Sequence, residues 1–258
     1  MPDDFDLAAS LVREAGTLAA GMLAEGLSTE HKSSVSDVVS AADRAAEALV
    51  VGRLGVERPD DGVVGEEGTD HAGARTWFVD PVDGTYNFLS GLPLWCSALA
   101  LADSSSDGSG PDGPLLGAIY HPAQDELWLG GREHPLTRNG SPLPLLAERP
   151  LAEVSIASYL HPATLPDQRA RLPLLRAIQG AATVRMLGSG SIELAAVAAG
   201  RLGAWLQINT LDWDWLPGAA LVRAAGGTTS VFGAHGHRWH AAGNALAVAQ
   251  LVDLVRGG

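Results

Sequence analysis

Two aspartates, Asp80 and Asp83, stand three positions apart in DPVDGTYNF (residues 80–88), with Pro81 and Gly84 beside them. In an unbroken strand such a pair would point to opposite faces, but proline and glycine bend the chain, so the two carboxylates can converge. Two like charges about 4 Å apart at an effective dielectric near 20 repel by roughly 4 kcal/mol. A shared proton relieves this, and a divalent cation does so better where more acids are at hand. VGEEG supplies Glu66 and Glu67, and LDWDWLPG supplies Asp212 and Asp214, each where an expected strand gives way to a turn or helix. Such ends cluster around one crevice in α/β proteins. Taken singly the signals are weak: Asp214 reads equally well as a helix N-cap, GEEG as an exposed acidic turn, and DPVDG as a β-turn. Together they form an all-oxygen set suited to a hard cation such as Mg2+ rather than to zinc.

Thr85 adds a hydroxyl beside backbone N–H groups where TYNFLSG begins a helical turn, a place that can hold a phosphate oxygen. The chemistry expected is metal-assisted hydrolysis of a phosphate monoester, with two metals activating water and stabilising the leaving oxygen. No G-x-x-x-x-G-K-[ST] motif supports a nucleotide P-loop.

The elements that must position these groups follow from periodicity. FDLAASLVREAGTLAAGMLAEG carries apolar residues at helical spacing, with Gly26 as its expected C-cap, and SAADRAAEALVVGRLG opens on a Ser40/Asp43 capping box. DGVVGEEG and ARTWFVDP read as short strands, the second ended by Pro81. LWCSALALAD is a further strand, residues 103–114 a mobile polar loop, and the stretch to about residue 150 a strand meander with a tight turn at Asn139-Gly140. Beyond it strand-like and helix-like pieces alternate. The expected fold is α/β, with an α+β front half (1–150) carrying most metal ligands and an α/β back half (151–258) carrying Asp214 and the substrate pocket, joined in one unit.

The chain has 258 residues, 46% hydrophobic, with 30 acids against 17 bases and a net charge of −13. Such a balance argues against a nucleic-acid surface, which needs clustered cations. No basic leader precedes an apolar segment, and no run reaches the roughly 18 apolar residues of a membrane span, so a cytoplasmic protein without membrane contact is expected. The single cysteine, Cys96, lies in an apolar setting and reads as a buried structural thiol. HGHRWH fits no zinc spacing and reads as a solvated turn, and the seven tryptophans read as core or interface residues.

GEE, WFVDPVDGTYNF and WDWLPGAALVRAAGG, in that order and spacing, resemble the three signature segments of the inositol monophosphatase family of Mg2+-dependent, lithium-sensitive phosphatases. HKSSVSDVVSAADRAAE is similar to its N-terminal loop and helix start. The resemblance implies a layered αβαβα sandwich of the inositol monophosphatase and fructose-1,6-bisphosphatase type, and a homodimer. It also implies two or three Mg2+ ions: Glu66, Asp80 and the Val82 carbonyl on one, and Asp80, Asp83 and Asp214 on a second. Glu66 is preferred to Glu67 as the first acid after the glycine of that segment. Asp43 and Thr85 would position and deprotonate the attacking water together with Glu66, Gly84 and Thr85 would hold phosphate, and Lys32, the only lysine, falls at the family's mobile loop.

GSGSIELAAVAAG resembles the family segment whose glycine-rich start lines the substrate pocket, which implies Gly188 and Ser189 as substrate contacts, Ser189 reading equally as a plain N-cap. Gln207 stands where many members carry a glutamate that contacts substrate hydroxyls, which leaves the alcohol half open. WDWLPG replaces the commoner WDVAAG, with Pro217 expected in the first helical turn, where its missing N–H is tolerated. The expected substrate is a small phosphorylated polyol or amino-alcohol, inositol 1-phosphate first. Histidinol phosphate follows, with fructose 1,6-bisphosphate and a 3′-phosphoadenosine compound behind it. A catalytically silent metal- or phosphate-binding regulator would require the loss of a catalytic position, and all are present.

Overall fold

The computed structural model describes residues 3–25, 29–31, 38–103 and 113–257, with the backbone alone for 29–31 and 38–40. Helix α1 (Asp4–Glu25) precedes an antiparallel pair, β1 (Thr29–His31) and β2 (Val38–Ser40), and then helix α2 (Ala41–Glu57). Next come β3 (Gly62–Gly65), β4 (Asp70–His71), β5 (Arg75–Asp83) and the short helix α3 (Thr85–Leu89). Strands β6 (Cys96–Asp103), β7 (Leu116–His121), β8 (Glu126–Gly131), β9 (His134–Arg138) and β10 (Ser141–Pro142) complete an eight-stranded sheet of order β10-β9-β8-β7-β6-β5-β3-β4. The remaining elements are β11 (Ser155–Ser158), α4 (Gln168–Gly180), β12 (Thr183–Arg185), α5 (Gly190–Ala198), β13 (Ala204–Ile208) and α6 (Asp212–Ala224). They are followed by β14 (Thr228–Ala234), β15 (His237–Gly243) and α7 (Ala245–Arg256), and form a five-stranded sheet of order β12-β11-β13-β15-β14.

Alternation along the strands builds the layers. In β6, Leu99 and Leu101 face α1 and α2, packing with Leu7, Leu11, Val50 and Leu54. Ala98, Ala100 and Ala102 face the other way, onto Leu194, Trp215 and Leu216 of α5 and α6. The same α5/α6 layer meets the second sheet through Trp205 and Ala242. That sheet's far side is covered by Leu174 of α4 and by Val248 and Leu251 of α7. The result is an αβαβα sandwich, as expected. The middle layer sits close because the sheet's facing residues are small: a Cβ on Gly117 would lie 2.2 Å from the Pro217 carbonyl oxygen. Helix α1 is by length and composition apolar enough to cross a membrane, but its apolar face, from Leu7 to Ala19, is buried against the sheet and α2.

Several local expectations change. β5 does not stop at Pro81 but runs to Asp83, because a register shift between Asp80 and Asp83 takes the proline out of the ladder. Pro217 lies in the second turn of α6 rather than the first, since the helix starts at Asp212 with Leu211 as N-cap. Asp214 is therefore a first-turn residue and not the cap. HGHRWH is a solvated turn only at its start: the exposed His235 and Gly236, both with positive φ (54° and 82°), make a tight turn, whereas β15 starts at His237 and carries the last two residues inward. His240 is fully buried there, edge-on to Trp215 at 5.1 Å. Asn139 and Gly140 do form the tight turn expected of them, at φ 49° and 75°. The Gly26 cap, the Ser40 side chain, Lys32 and most of the 103–114 loop lie outside the described residues.

Candidate active site

The bulge in β5 brings Asp80 and Asp83 onto one face. Asp80 is paired with Ala98 and Asp83 with Cys96, so four residues of β5 (80–83) span three of β6 (96–98). Ala98 and Cys96 share a face because they are two apart, and the extra residue puts their partners on one face too. Ser97 Oγ donates to the Pro81 carbonyl and ties down the bulge. Asp214, three residues into α6, completes the group: one carboxylate oxygen from each of Asp80, Asp83 and Asp214 lies within 4.8 Å of the others. Because β3 runs parallel to β5, with Gly65 opposite Val79, the next residue, Glu66, arrives beside Asp80, and its N–H donates to the Val79 carbonyl at 3.2 Å. Asp43, in the first turn of α2, is 1% exposed and close enough for its charge to act on both Glu66 and Asp80.

Burial and mutual repulsion then act together. Glu66 is pushed up to about 8, by burial first and by Asp214 and Asp43 next. Asp214 rises to about 7, through burial and the neighbouring Asp83. Asp80 is driven well above the usual carboxylate range by burial, Glu66 and Asp83. Burial also raises Asp83, against the pull of the Ser191 N–H, which donates to its Oδ2 at 2.5 Å. That N–H belongs to the first turn of α5, so the second half of the chain orients a carboxylate of the first. No described arginine or histidine is ion-paired with Glu66, Asp80, Asp83 or Asp214.

Above the acids opens a cavity of about 370 Å³, lined by Glu66, Asp83 and Asp214, by Gly84, Thr85, Tyr86 and Asn87, by Gly188, Ser189, Gly190 and Glu193, and by Tyr159 and Gln207. Asp43, Asp80 and Val82 lie below this surface, all within 1% of complete burial. Thr85 Oγ1 donates to the Val82 carbonyl at 3.2 Å rather than to Asp43. Ser189 does double duty, capping α5 by accepting from the Ile192 N–H at 3.3 Å while it lines the cavity.

The sequence model of the inositol monophosphatase family matches residues 3–252. The chain belongs to the inositol monophosphatase family. It is 36% identical over 197 residues to the inositol-1-monophosphatase of Rhizobium meliloti, an alignment covering 74% of this chain and 71% of that one. Among solved structures, the extragenic suppressor protein suhB from Bartonella henselae superposes with a TM-score of 0.85 at 27% identity, covering 98% of both chains. An IMPase from Thermotoga maritima does so with a TM-score of 0.83 at 26% identity, over 98% and 97% of the two chains. The family is one of metal-dependent phosphatases, so the protein is a phosphoric monoester hydrolase by membership.

The residues fit a hard metal on their own geometry as well. Asp80 Oδ1 is buried without a hydrogen-bond partner, the donor set is all oxygen, and four raised carboxylates share a site without an arginine. A divalent cation relieves all of this at once.

The sequence reading missed Glu193, Tyr86, Asn87 and Tyr159 as cavity residues. Glu193 is 1% exposed, accepts from the Leu187 N–H at 2.6 Å and from Trp205 Nε1 at 3.0 Å, and is raised to about 8 by burial. Its signal was a lone acid in an apolar helical run. Asn87 donates to the carbonyls of both Leu94 and Leu187 at 2.7 Å, which fixes the Leu187–Gly188 segment from the opposite half of the chain.

Proposed function

We propose that the protein hydrolyses a small phosphate monoester, with inositol 1-phosphate as the leading substrate and Mg2+ as its metal. Two or three ions would be held by Glu66, Asp80, the Val82 carbonyl, Asp83 and Asp214. The observation that carries the reading is the convergence of Asp80, Asp83 and Asp214 at a cavity that Gly84 and Thr85 also line. When bound, the cation supplies charge neutralisation and Lewis-acid polarisation.

The chain's own residues account for the remaining tasks. Gly84 and Thr85 line the cavity where β5 gives way to α3, and the N–H of Thr85, at the first position of that helix, has no intrahelical acceptor, which suits it to a phosphate oxygen. Asp43, buried and beside Glu66, accepts the proton of the attacking water, which it orients together with Thr85. Gly188, Ser189 and Gln207 face the alcohol. The Gln207 amide both donates and accepts, matching neutral hydroxyls, and it has no charge to attract an amine. That favours a polyol over an amino-alcohol.

The test is phosphate release from inositol 1-phosphate, histidinol phosphate, fructose 1,6-bisphosphate and 3′-phosphoadenosine 5′-phosphate, with Mg2+ and then with added Li+. Inositol 1-phosphate should be turned over fastest, Li+ should inhibit, and Asp80→Asn should lower the rate by about a thousandfold, since a charge-neutralising ligand is worth several kcal/mol. A faster rate on histidinol phosphate would move the substrate assignment. Absence of turnover on all four would overturn the reading.

A further inference from the structure

The structure assigns Glu47 the role of a positioning residue that holds the metal-binding carboxylate of Glu66 in place, an inference that rests on the reading of Glu66 as a metal ligand. Glu47 lies one helical turn after Asp43 on α2 and is only 4% exposed. Its carboxylate lies against the turn that joins β3 to β4. Oε2 accepts from the Glu67 N–H at 2.8 Å. Oε1 accepts from the Thr69 N–H at 3.3 Å and from Thr69 Oγ1 at 2.7 Å. Among the described residues no arginine or histidine is ion-paired with it, so these three donors are what its charge meets.

The turn is built to receive that carboxylate. A Cβ on Gly65 would lie 2.4 Å from Glu47 Oε2, so a glycine is the residue that lets the acid approach the backbone. Glu66 sits between two anchored points: its own N–H is tied to Val79 of β5, and the next N–H, that of Glu67, is tied to Glu47. The turn closes on itself through the Gly65 N–H to the Thr69 carbonyl at 2.8 Å. The backbone carrying Glu66 is thereby referred to two rigid elements, strand β5 and helix α2. The same helix face that places Asp43 also sets the position of Glu66. Outer hydrogen bonds of this kind typically change metal affinity 10- to 100-fold when removed.

Glu47→Gln keeps the shape but offers one acceptor oxygen in place of two, so its amide N–H2 must face either the Glu67 N–H or Thr69. The measurement is Mn2+ binding to the purified full-length protein, followed by the loss of the free-ion EPR signal, beside the thermal midpoint of each metal-free variant. Glu66→Gln should weaken Mn2+ binding most, Glu47→Gln by about tenfold, and Thr69→Val by about threefold. Wild-type Mn2+ affinity in Glu47→Gln, whatever its stability, would overturn the inference by reducing Glu47 to a stabilising residue. If Glu47→Gln does not fold, Thr69→Val decides: weakened binding supports the role and unchanged binding overturns it. Unchanged affinity in Glu66→Gln would instead remove the ligand assignment on which the inference rests, an outcome distinct from failure of Glu47 alone.

Discussion

At the scale of single residues, the site depends on backbone conformations that side chains resist. Gly84 joins β5 to α3 at φ 98°, and a Cβ there would lie 3.0 Å from the Leu94 carbonyl oxygen and 3.2 Å from that of Gly188. Strain and crowding act in the same direction. Gly84→Ala should therefore cost about 1–3 kcal/mol of stability. It should also raise KM more than it lowers kcat, because the residue borders the proposed phosphate position. Denaturant midpoints and steady-state kinetics check both parts, and a variant as stable as wild type would contradict the strain argument. The acids themselves were legible from residue type and spacing, since Asp80 and Asp83 flank a Pro/Gly bend and Glu66 and Asp214 fall where expected strands give way to a turn or helix. Glu47 and Glu193 were not, because each serves backbone N–H groups whose position depends on tertiary folding.

At the scale of elements, helix α5 links the cavity rim to the acids. Its cap, Ser189, lines the cavity, and the N–H of Ser191 in its first turn holds Asp83. Ser189→Ala removes the cap and should cost about 0.5–2 kcal/mol, and fraying of that turn should weaken metal binding as well. Ser189→Asn retains a capping side chain and should restore stability while still perturbing the cavity wall. Thermal melts and metal titrations of the two variants separate the roles; equal melting temperatures for Ala and Asn would mean that the cap contributes nothing. Helices α4 and α7 escaped the sequence reading altogether. α4 carries Pro173 inside an otherwise helical run, and both helices lie on the outer face of the second sheet, away from the acidic motifs.

At the scale of the whole molecule, the clustered acids should make the metal-free protein sensitive to pH. Unfolded Asp and Glu titrate near 4, whereas in the fold Glu66 and Glu193 titrate near 8 and Asp214 near 7. Between those limits the unfolded chain has released protons that the native state still holds, so stability falls as pH rises from about 4 to about 8. The melting temperature should drop across that window, at roughly 2–4 °C per kcal/mol for a chain of this size. Saturating Mg2+ should remove most of the slope by favouring the charged forms of Glu66 and Asp214, leaving the part due to Glu193. A slope that Mg2+ leaves unchanged would separate the acids from metal binding. By itself the sequence determined the chemistry, through carboxylates at strand ends around a Pro/Gly bend, and the layered class, through its alternating apolar patterns. These are local properties, set by residue type and spacing. Only the tertiary structure decided that a one-residue bulge against Cys96 and Ala98 turns Asp80 and Asp83 to one face, that α2 braces the turn carrying Glu66, and that α5 holds the carboxylate of Asp83. Register and packing between segments far apart in the chain determine those contacts, and no short stretch of sequence contains both partners.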